Sequence, residues 1–233
     1  MKIALVGYGK MGKVIERVAQ DRGHEIVARI SRGDDLNAAS KADAAIEFTS
    51  PDSVIKNLET LIQLGVPTIC GTTGWNDQLL EIKQLVENNQ GGLVHASNFS
   101  LGVNLFFELN KQLAELMNRF QEYQLHLTEI HHTEKKDAPS GTALSLFEQI
   151  AEKTGNKSWH LGSNSTEGSI GIAAIREKEV KGTHVVSYKS DIDTIEIKHE
   201  AHSRDGFALG AVMAAEWLQG KQGVFTMKDV LGL

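Results

Sequence analysis

The segment of residues 2–30 constrains the fold more than any other part of the chain. The apolar run KIALV (residues 2–6) leads directly into GYGKMG (residues 7–12). Residues 13–22 carry apolar side chains at helical spacing, and residues 24–30, HEIVARI, are again typical of a strand. Strand, glycine-rich turn, helix and strand in this order are the context in which G-x-G-x-x-G indicates a dinucleotide-binding βαβ unit.

The glycines of this turn have separate physical reasons to be there. Gly7 permits the tight turn, Gly9 lets the backbone approach a pyrophosphate, and Gly12 lets helix and strand pack closely. A glycine-rich turn without a ligand is the alternative, but the flanking strand and helix favour dinucleotide binding. The turn residues predicted to contact the cofactor are Gly7, Tyr8, Gly9, Lys10, Met11 and Gly12.

The end of the second predicted strand bears on the choice between NADH and NADPH. An acid that binds the ribose 2′-hydroxyl of NAD is usual at this position. The sequence instead has Arg29, Ser31 and Arg32, and the first acids follow only at Asp34 and Asp35. These residues suit a 2′-phosphate, so we predict a preference for NADPH with Arg32 as a contact. The alternative is that both arginines are solvated surface charges.

Strands and helices continue to alternate up to residue 99, which predicts a parallel sheet covered on both faces. Further strands are predicted at residues 44–49, 66–70 and 92–95, with helices at residues 54–64 and 76–87 between them. Ligands on such sheets lie outside the carboxyl ends of the strands. Phe48 and Thr49 are therefore expected to line the crevice. The further predicted cofactor contacts at strand ends are Gly71, Thr72, Thr73, Ala96, Ser97, Asn98 and Phe99.

The pattern changes after residue 100, where a long amphipathic helix (residues 101–120) precedes an alternating strand (residues 122–132). Turn residues at Lys181-Gly182 and Ser190-Asp191 separate later strand-like segments, which predicts an antiparallel sheet. Those segments are residues 169–176, 183–189 and 193–201. A helix is predicted at residues 206–218, followed by a short tail. The pattern does not determine the structure of residues 154–168.

Residues 129–142, EIHHTEKKDAPSGT, concentrate the groups that carry chemistry. A strand delivers His131 and His132 to a cationic loop, and the loop ends in a helix that begins near Ser140. Unpaired N–H groups at a helix N-terminus bind a carboxylate or phosphate. The segment therefore predicts a site for a small acidic substrate.

A metal is not predicted at the two histidines. Adjacent residues on a strand point to opposite faces, so His131 and His132 rarely bind one ion together. The flanking residues offer no convincing third ligand. The remaining alternative is that both histidines are surface residues without a functional role.

Composition excludes several classes of function. The net charge of −6 and the lack of a basic run give no support for a nucleic-acid partner. No segment approaches the roughly 20 apolar residues that cross a bilayer, and the N-terminus does not read as a leader peptide. Cys70 is the only cysteine, which excludes an intrachain disulfide and fits a reducing compartment. A soluble, cytoplasmic protein is expected.

Four sequence blocks together resemble one family. They are GYGKMG (7–12), GTTG (71–74), SNFSLGVN (97–104) and HHTEKKDAPSGTA (131–143). The chain is similar to 4-hydroxy-tetrahydrodipicolinate reductases (dihydrodipicolinate reductases) of the diaminopimelate and lysine pathway. The resemblance extends over nearly the whole chain, and its most specific part is HH-x-x-K-x-D-A-P-S-G-T.

The resemblance implies an α/β protein with two domains. A Rossmann-like dinucleotide-binding domain comprises residues 1–102 and 208–233, and a mixed α+β domain of residues 103–207 binds substrate through an open, largely antiparallel sheet. The second domain is also implied to form a homotetramer. The residues that the resemblance assigns are His131 as proton donor, Lys135 as its paired lysine, and His132, Ser140, Gly141 and Thr142 as substrate contacts.

The reaction implied is reduction of 4-hydroxy-tetrahydrodipicolinate by NAD(P)H with loss of water. Hydride addition at C4 pushes electron density into the ring, so a proton must arrive. An imidazole with a pKa of about 6.5 suits that task, which makes His131 the expected general acid. Lys135 would pair with one substrate carboxylate or support charge at the reacting centre. The other carboxylate would bind the Gly141 and Thr142 N–H groups and the Ser140 and Thr142 hydroxyls.

Two other functions fit parts of the sequence. A non-catalytic sensor of NADP(H) would use the nucleotide half and oligomerise through the other, but it would not need His131, Lys135 and Ser140 in one segment. A dehydrogenase of the amino-acid or aldehyde type has the same two-domain plan. If it used a thiol nucleophile, Cys70 would have to reach the substrate, although that residue lies at a strand end in the nucleotide half.

Overall fold

The computed structural model describes residues 1–166 and 168–233. The strands in this part of the chain are β1 (Lys2–Val6), β2 (Glu25–Ile30), β3 (Ala44–Glu47), β4 (Thr68–Cys70), β5 (Gly92–His95), β6 (Gln124–His131), β7 (Ser158–Leu161), β8 (Ser169–Arg176), β9 (Thr183–Lys189), β10 (Thr194–Glu200) and β11 (Gly223–Phe225). The α-helices are α1 (Lys10–Asp21), α2 (Pro51–Gln63), α3 (Leu79–Asn88), α4 (Leu101–Met117), α5 (Gly141–Thr154), α6 (Asp205–Leu218) and α7 (Met227–Leu231), and Leu36–Lys41 and Asn76–Gln78 form short 3₁₀ turns. None of the helices in the described residues is long and apolar enough to cross a membrane.

The chain divides into two compact units. The first comprises Met1–Asn104 and Arg204–Leu233, and the second comprises Leu105–Ser203. In the described residues, the sheet of the first unit has the strand order β11-β5-β4-β3-β1-β2, and all its pairings are parallel. This confirms the predicted Rossmann-like sheet. The predicted short tail is instead β11 and α7, because a three-residue edge strand is too short to show a period.

Alternating side chains give the first sheet two covered faces. Ile3 and Leu5 belong to a core cluster with the apolar residues of α1 and α6, whereas Ala4 and Val6 pack in a separate cluster with Leu61 of α2. All five of these side chains are at most 3% exposed. Each large aliphatic side chain removed from water in this way stabilises the fold by about 1.5–3 kcal/mol. A sheet buried on both faces fixes the positions of the loops at its carboxyl edge.

The sheet of the second unit is mixed and not largely antiparallel as expected. Its strand order is β10-β9-β6-β8-β7, in which β10–β9 and β9–β6 are antiparallel but β6–β8 and β8–β7 are parallel. The turn at Lys181-Gly182 therefore does not join a hairpin, since β6 lies between β8 and β9. The previously unassigned stretch contributes β7. Strand pairing between distant segments leaves no mark on local periodicity, which is why the order could not be predicted.

One face of this second sheet carries the unit's core. Leu127, Ile172 and Val186 from neighbouring strands pack against Leu146 and Ile150 of α5. The opposite face presents a patch of small and apolar residues that are only partly buried or exposed. We call it the outer sheet face, and its residues are Thr128, Ile130, Ala173, Ile175 and Val185.

Candidate functional site

The predicted glycine turn lines a cleft in the first unit. Gly7 has φ +95°, a left-handed conformation that favours glycine, and a Cβ there would overlap the carbonyl oxygen of Phe48. A Cβ at Gly12 would come within 2.6 Å of the Gly7 carbonyl oxygen, whereas one at Gly9 would have no atom within 4 Å. The cleft is lined by Gly7, Gly9, Lys10, Met11, Phe48, Thr49, Pro51, Gly71, Thr72 and Thr73.

The open space at Gly9 adjoins the N-terminus of α1. Gly9 is the N-cap of this 12-residue helix, and no side chain caps it. The first-turn N–H groups and the positive end of the helix dipole are thus suited to an anion. These features fit the pyrophosphate of a dinucleotide.

A buried carboxylate bonds to residues next to the cleft. Glu47 is fully buried and accepts hydrogen bonds from the Thr49 hydroxyl, from Asn57 Nδ2 at 3.2 Å and from the Cys70 thiol at 3.4 Å. The Thr49 N–H donates to the Thr72 hydroxyl at 2.7 Å. This network ties the loops after β3 and β4 together. Glu47 was not predicted, although a carboxylate within the otherwise apolar segment AAIEFT is the signal that could have identified it.

The same network decides the role of the only cysteine. Cys70 is completely buried, and burial raises the pKa of its thiol far above the usual range, with the Glu47 charge adding to the effect. A nucleophilic cysteine must be accessible and form a thiolate. Cys70 is therefore a structural residue and not the nucleophile of a semialdehyde dehydrogenase.

Residues 96–99 follow β5 at the same edge of the sheet, but they differ in exposure. Phe99 is 1% exposed and belongs to the core, where its ring lies 5.9 Å from that of Phe48. Asn98 accepts a hydrogen bond from the Ser100 N–H at 2.9 Å through Oδ1. Ala96 and Ser97 are partly buried and exposed, respectively. A cofactor contact by Phe99 would have to come from its backbone.

The two arginines after β2 are not equivalent. The Arg29 guanidinium binds the Glu16 carboxylate through Nε at 2.9 Å and through Nη2, and Tyr8 donates to the same carboxylate. Arg29 thereby lowers the pKa of Glu16. Arg32 is exposed and has no hydrogen bond or ion pair with the described residues. Of the two cations, Arg32 is the one whose charge is not already compensated.

In the second unit, three side chains lie close together next to the cationic loop. One of them, His131, was predicted as a site residue, and the other two were not. His131 and Glu129 share one face of β6, and His184 lies on the same face of neighbouring β9. Nε2 of His131 is 3.4 Å from Nε2 of His184 and 3.6 Å from Oε2 of Glu129. All three residues are buried, and Glu129 is fully so. His132 follows the last residue of β6 and is half-buried.

Glu129 and Arg176 clamp the loop that follows β6. Arg176 lies 3.5 Å from Oε1 of Glu129 and donates to the backbone oxygens of Lys135, at 3.3 Å, and Asp137, at 2.6 Å. The Ser140 N–H donates to Oε2 of Glu129 at 3.0 Å. One ion pair thus holds the loop at three backbone positions.

Lys135 and Asp137 form an ion pair within the same loop. Both carboxylate oxygens of Asp137 are 2.8 Å from Nζ of Lys135, and this contact lowers the pKa of Asp137. Because Asp137 is more than half exposed, solvent screens the pair and it contributes little to stability. The ammonium of Lys135 can therefore exchange this partner for another carboxylate at small cost.

The loop ends at the N-terminus of α5. Ser140 caps the helix by accepting from the Ala143 N–H at 3.2 Å, and its hydroxyl is also 3.1 Å from Nε2 of His184. Ser140 is 3% exposed, whereas Gly141 is exposed and Thr142 is partly buried. The Gly141 and Thr142 N–H groups of the first turn, more than the Ser140 hydroxyl, are thus the ones left for a ligand.

Burial and charge determine the protonation of the two histidines. Burial lowers the pKa of His131, the Glu129 charge opposes this by raising it, and Lys135 and Arg176 lower it further. Burial lowers the pKa of His184 to about 3, so this imidazole is neutral over the physiological range. His131 is therefore the titrating member of the pair.

Glu129, His131 and His184 also form a donor set that a metal ion could use, because their ligand atoms lie within 4.8 Å of one another. Both oxygens of Glu129 already have partners, namely the Ser140 N–H and Arg176. Arg176 and Lys135 also place positive charge beside the cluster. These contacts disfavour a second cation there.

Sequence reasoning did not assign functional roles to Glu129, Arg176 and His184. Glu129 could have been found, since it precedes His131 by two residues on an alternating strand and so shares its face. Arg176 and His184 reach the cluster only through the pairing of β6 with β8 and β9. The sequence carries no local signal of that pairing.

Comparison with known proteins agrees with this geometry. The family model for the N-terminus of dihydrodipicolinate reductase matches residues 1–99, and the model for its C-terminus matches residues 102–231. A 4-hydroxy-tetrahydrodipicolinate reductase of Christiangramia forsetii is 47% identical, with 99% of this chain and 98% of the relative covered. The corresponding protein of Methanosarcina barkeri is 36% identical, with 97% and 83% covered.

Comparison of structures points to the same family. The structure of a dipicolinate-bound dihydrodipicolinate reductase from Paenisporosarcina sp. TG-14 matches with a TM-score of 0.78 at 21% identity, with 97% of each chain covered. An amine dehydrogenase from Mycobacterium smegmatis matches with a TM-score of 0.62 at 9% identity, covering 97% of this chain and 95% of that one. Fold, motif spacing and sequence similarity agree, and the chain belongs to the dihydrodipicolinate reductase family.

Proposed function

We propose that this chain reduces 4-hydroxy-tetrahydrodipicolinate to tetrahydrodipicolinate with NAD(P)H and loss of water, in diaminopimelate and lysine biosynthesis. The observation that carries the proposal is a buried His131 at the end of β6, followed by the loop that carries Lys135 and leads to the N-terminus of α5. A proton donor, an ammonium and an anion-binding helix end are what reduction of a cyclic dicarboxylate requires. The dicarboxylate bound by the Paenisporosarcina reductase supports a ligand of this class.

We further propose a division of labour between two parts of the chain. Residues 1–102 and 208–233 bind the dinucleotide, and residues 103–207 bind substrate. The cofactor contacts proposed are the cleft residues together with Tyr8, Gly12, Arg32 and residues 96–99. The space beside Gly9 and the uncapped N-terminus of α1 support a pyrophosphate at that point.

The protein groups have distinct tasks in the reaction. A bound nicotinamide supplies the hydride that adds at C4 of the dehydrated ring. His131 gives its proton to the position where the electron density arrives, and Lys135 exchanges Asp137 for a substrate carboxylate. The Gly141 and Thr142 N–H groups bind the second carboxylate, with Ser140 and His132 beside them. Because anionic groups near an imidazole favour its charged form, the bound dicarboxylate would raise the pKa of His131.

A direct assay tests this function. The condensation product of pyruvate and aspartate semialdehyde would be supplied with NADPH, and oxidation of NADPH would be followed by absorbance. Turnover is expected with this substrate, and its dependence on the condensation product separates the reductase from other dehydrogenases. A nucleotide sensor would bind NADPH and show no turnover.

We propose a preference for NADPH that depends on Arg32. Replacing Arg32 with alanine removes a cation that no described residue engages, so kcat/KM for NADPH should fall by about tenfold, as expected for one charge-assisted hydrogen bond. The value for NADH should change by less than about twofold. Steady-state kinetics with both cofactors in one preparation measures the ratio.

Arg29→Ala is the matched control, because Arg29 is already paired with Glu16. Any change in kcat/KM caused by Arg29→Ala should be the same for NADH and NADPH. Equal losses for NADH and NADPH in the Arg32 variant would refute the preference.

We also propose that the protein forms a homotetramer through the second unit. The outer sheet face supports this, since an apolar face of this kind is usually covered. Ile175 is 45% exposed and lies beside Ile130 in the register of β6 and β8. Ile175→Arg would put a charge in the proposed interface and should lower the molar mass measured by light scattering.

Ile192 provides the control for that experiment. It is 92% exposed but lies in the turn between β9 and β10, away from the outer sheet face. Ile192→Arg should leave the molar mass unchanged. A wild-type protein that is monomeric at micromolar concentration would overturn the proposal.

A further inference from the structure

The buried carboxylate behind His131 is not used by any step described so far. Glu129 approaches the imidazole from within β6, and Oε2 lies 3.6 Å from Nε2 of His131. His184 approaches the same nitrogen from β9 at 3.4 Å. Nε2 is thus enclosed on two sides by buried groups, and Nδ1 is the nitrogen that remains for proton transfer.

The opposite edge of the imidazole is kept uncovered by a glycine. Gly182 lies beside it, and a Cβ there would come within 3.0 Å of Cε1 and 3.3 Å of Nδ1 of His131. Any side chain at this position would press on the edge that carries Nδ1. The arrangement therefore places a charged group near one nitrogen and a residue without a side chain beside the other.

We propose that Glu129 is a positioning residue for His131: its carboxylate holds the imidazole through Nε2, so that the proton delivered to the substrate leaves from Nδ1. The inference rests on the proposed role of His131 as general acid. In the step itself the Nδ1–H bond breaks, the proton joins the substrate as hydride is added, and the neutral imidazole keeps its hydrogen on Nε2 facing Glu129. Nδ1 then takes up a proton from water before the next turnover.

The fixed charges around His131 make the role of Glu129 separable from that of its neighbours. The groups that face the imidazole are Glu129 from β6, Arg176 from β8, His184 from β9, and Lys135 and Asp137 from the loop. His184 stays neutral because of its burial, so it fills space without adding charge. Glu129 favours the imidazolium, whereas Arg176 disfavours it. Removing one or the other charge should therefore move the titration of His131 in opposite directions.

The sign of each shift follows from these charges. A general acid must be protonated, so activity is lost as pH rises through the pKa of His131. Glu129→Gln keeps an oxygen for the Ser140 N–H but loses the negative charge, which lowers that pKa by about one unit or more. Arg176→Gln removes a positive charge and leaves Glu129 without its counter-ion, which raises it. Both variants weaken the same loop clamp, so a purely structural role for Glu129 would give them the same behaviour.

NMR titration of the His131 ring signals in the full-length enzyme, assigned with the His131→Gln variant, measures these shifts without reference to activity. A lower midpoint in Glu129→Gln with a higher one in Arg176→Gln, and an Nε2-protonated neutral ring in the wild type, would support the proposal. Unchanged midpoints, shifts of the same sign or an Nδ1-protonated ring would overturn it.

The pH dependence of kcat/KM in the same variants tests the proposed function separately. Its alkaline limb reports the free enzyme and should follow the NMR midpoint, to lower pH for Glu129→Gln and to higher pH for Arg176→Gln. If the midpoints move but the limb does not, Glu129 positions His131 as proposed and His131 is not the proton donor.

Discussion

Replacing His131 with glutamine is expected to lower kcat by about 10²–10⁴-fold, the usual contribution of a positioned general acid. Glutamine has a similar length and can hydrogen-bond, but it cannot give up a proton at neutral pH. The Kd for NADPH should stay within about twofold of the wild-type value, because His131 lies in the second unit and the glycine cleft lies in the first. Steady-state turnover and a fluorescence titration with NADPH measure the two quantities.

His126→Gln is the matched control for this substitution. His126 is on the same strand, but its Nδ1 is 2.9 Å from the Ser163 carbonyl oxygen, away from Glu129. This variant should keep kcat within about twofold. A His131→Gln enzyme with undiminished kcat would show that the proton comes from another group.

Substitutions at two glycines of the N-terminal turn should affect stability and cofactor binding separately. Gly7→Ala forces a left-handed backbone on alanine and drives a methyl group into the Phe48 carbonyl. Strain and overpacking together should reduce the free energy of unfolding by about 3 kcal/mol or more. That is a large part of the 5–15 kcal/mol typical of a folded domain, about half in a marginal case.

Gly9→Ala should have the opposite profile. Gly9 has φ −96° and ψ −150°, which alanine can adopt, and its Cβ would point into open space. The free energy of unfolding should change by about 1 kcal/mol at most, the size of an N-cap effect. The Kd for NADPH should rise by about tenfold or more, because the methyl group would occupy the approach of the pyrophosphate.

Urea denaturation and NADPH titration of both variants measure this contrast. Gly23→Ala serves as a reference for Gly7, since it has φ +82° but no atom near its Cβ. It isolates the backbone strain from the steric overlap. If a stable Gly23→Ala protein lost as much affinity for NADPH as Gly9→Ala, the assignment of the cleft to the cofactor would be contradicted.

The parts of the fold that could be predicted from sequence are those encoded within a few neighbouring residues. The βαβ unit at residues 2–30 is one, since periodicity, glycine spacing and strand composition all lie within one short segment. The N-cap at Ser140 is another, because the serine that starts the apolar run of α5 also bonds its third N–H. In both places local preference and the final fold agree.

The candidate site was only partly predictable because it depends on contacts between distant segments. Arg176 is far along the chain from His131, yet the parallel register of β6 and β8 places the two directly opposite each other. Lys135 is predicted to face the substrate, and in the structure its ammonium is paired with Asp137. This ion pair was not predicted from the sequence. The choice of such a partner depends on distances in the folded chain that composition does not specify.

The burial of Cys70 makes this protein convenient for chemical labelling. The chain contains no other cysteine, and this one is enclosed by the core and held by Glu47. A cysteine introduced at an exposed position such as Ile192 would be the sole accessible thiol. Dyes or spin labels can thus be attached at a chosen site without replacing Cys70. The hydrogen-bond network around Glu47 is then left unchanged.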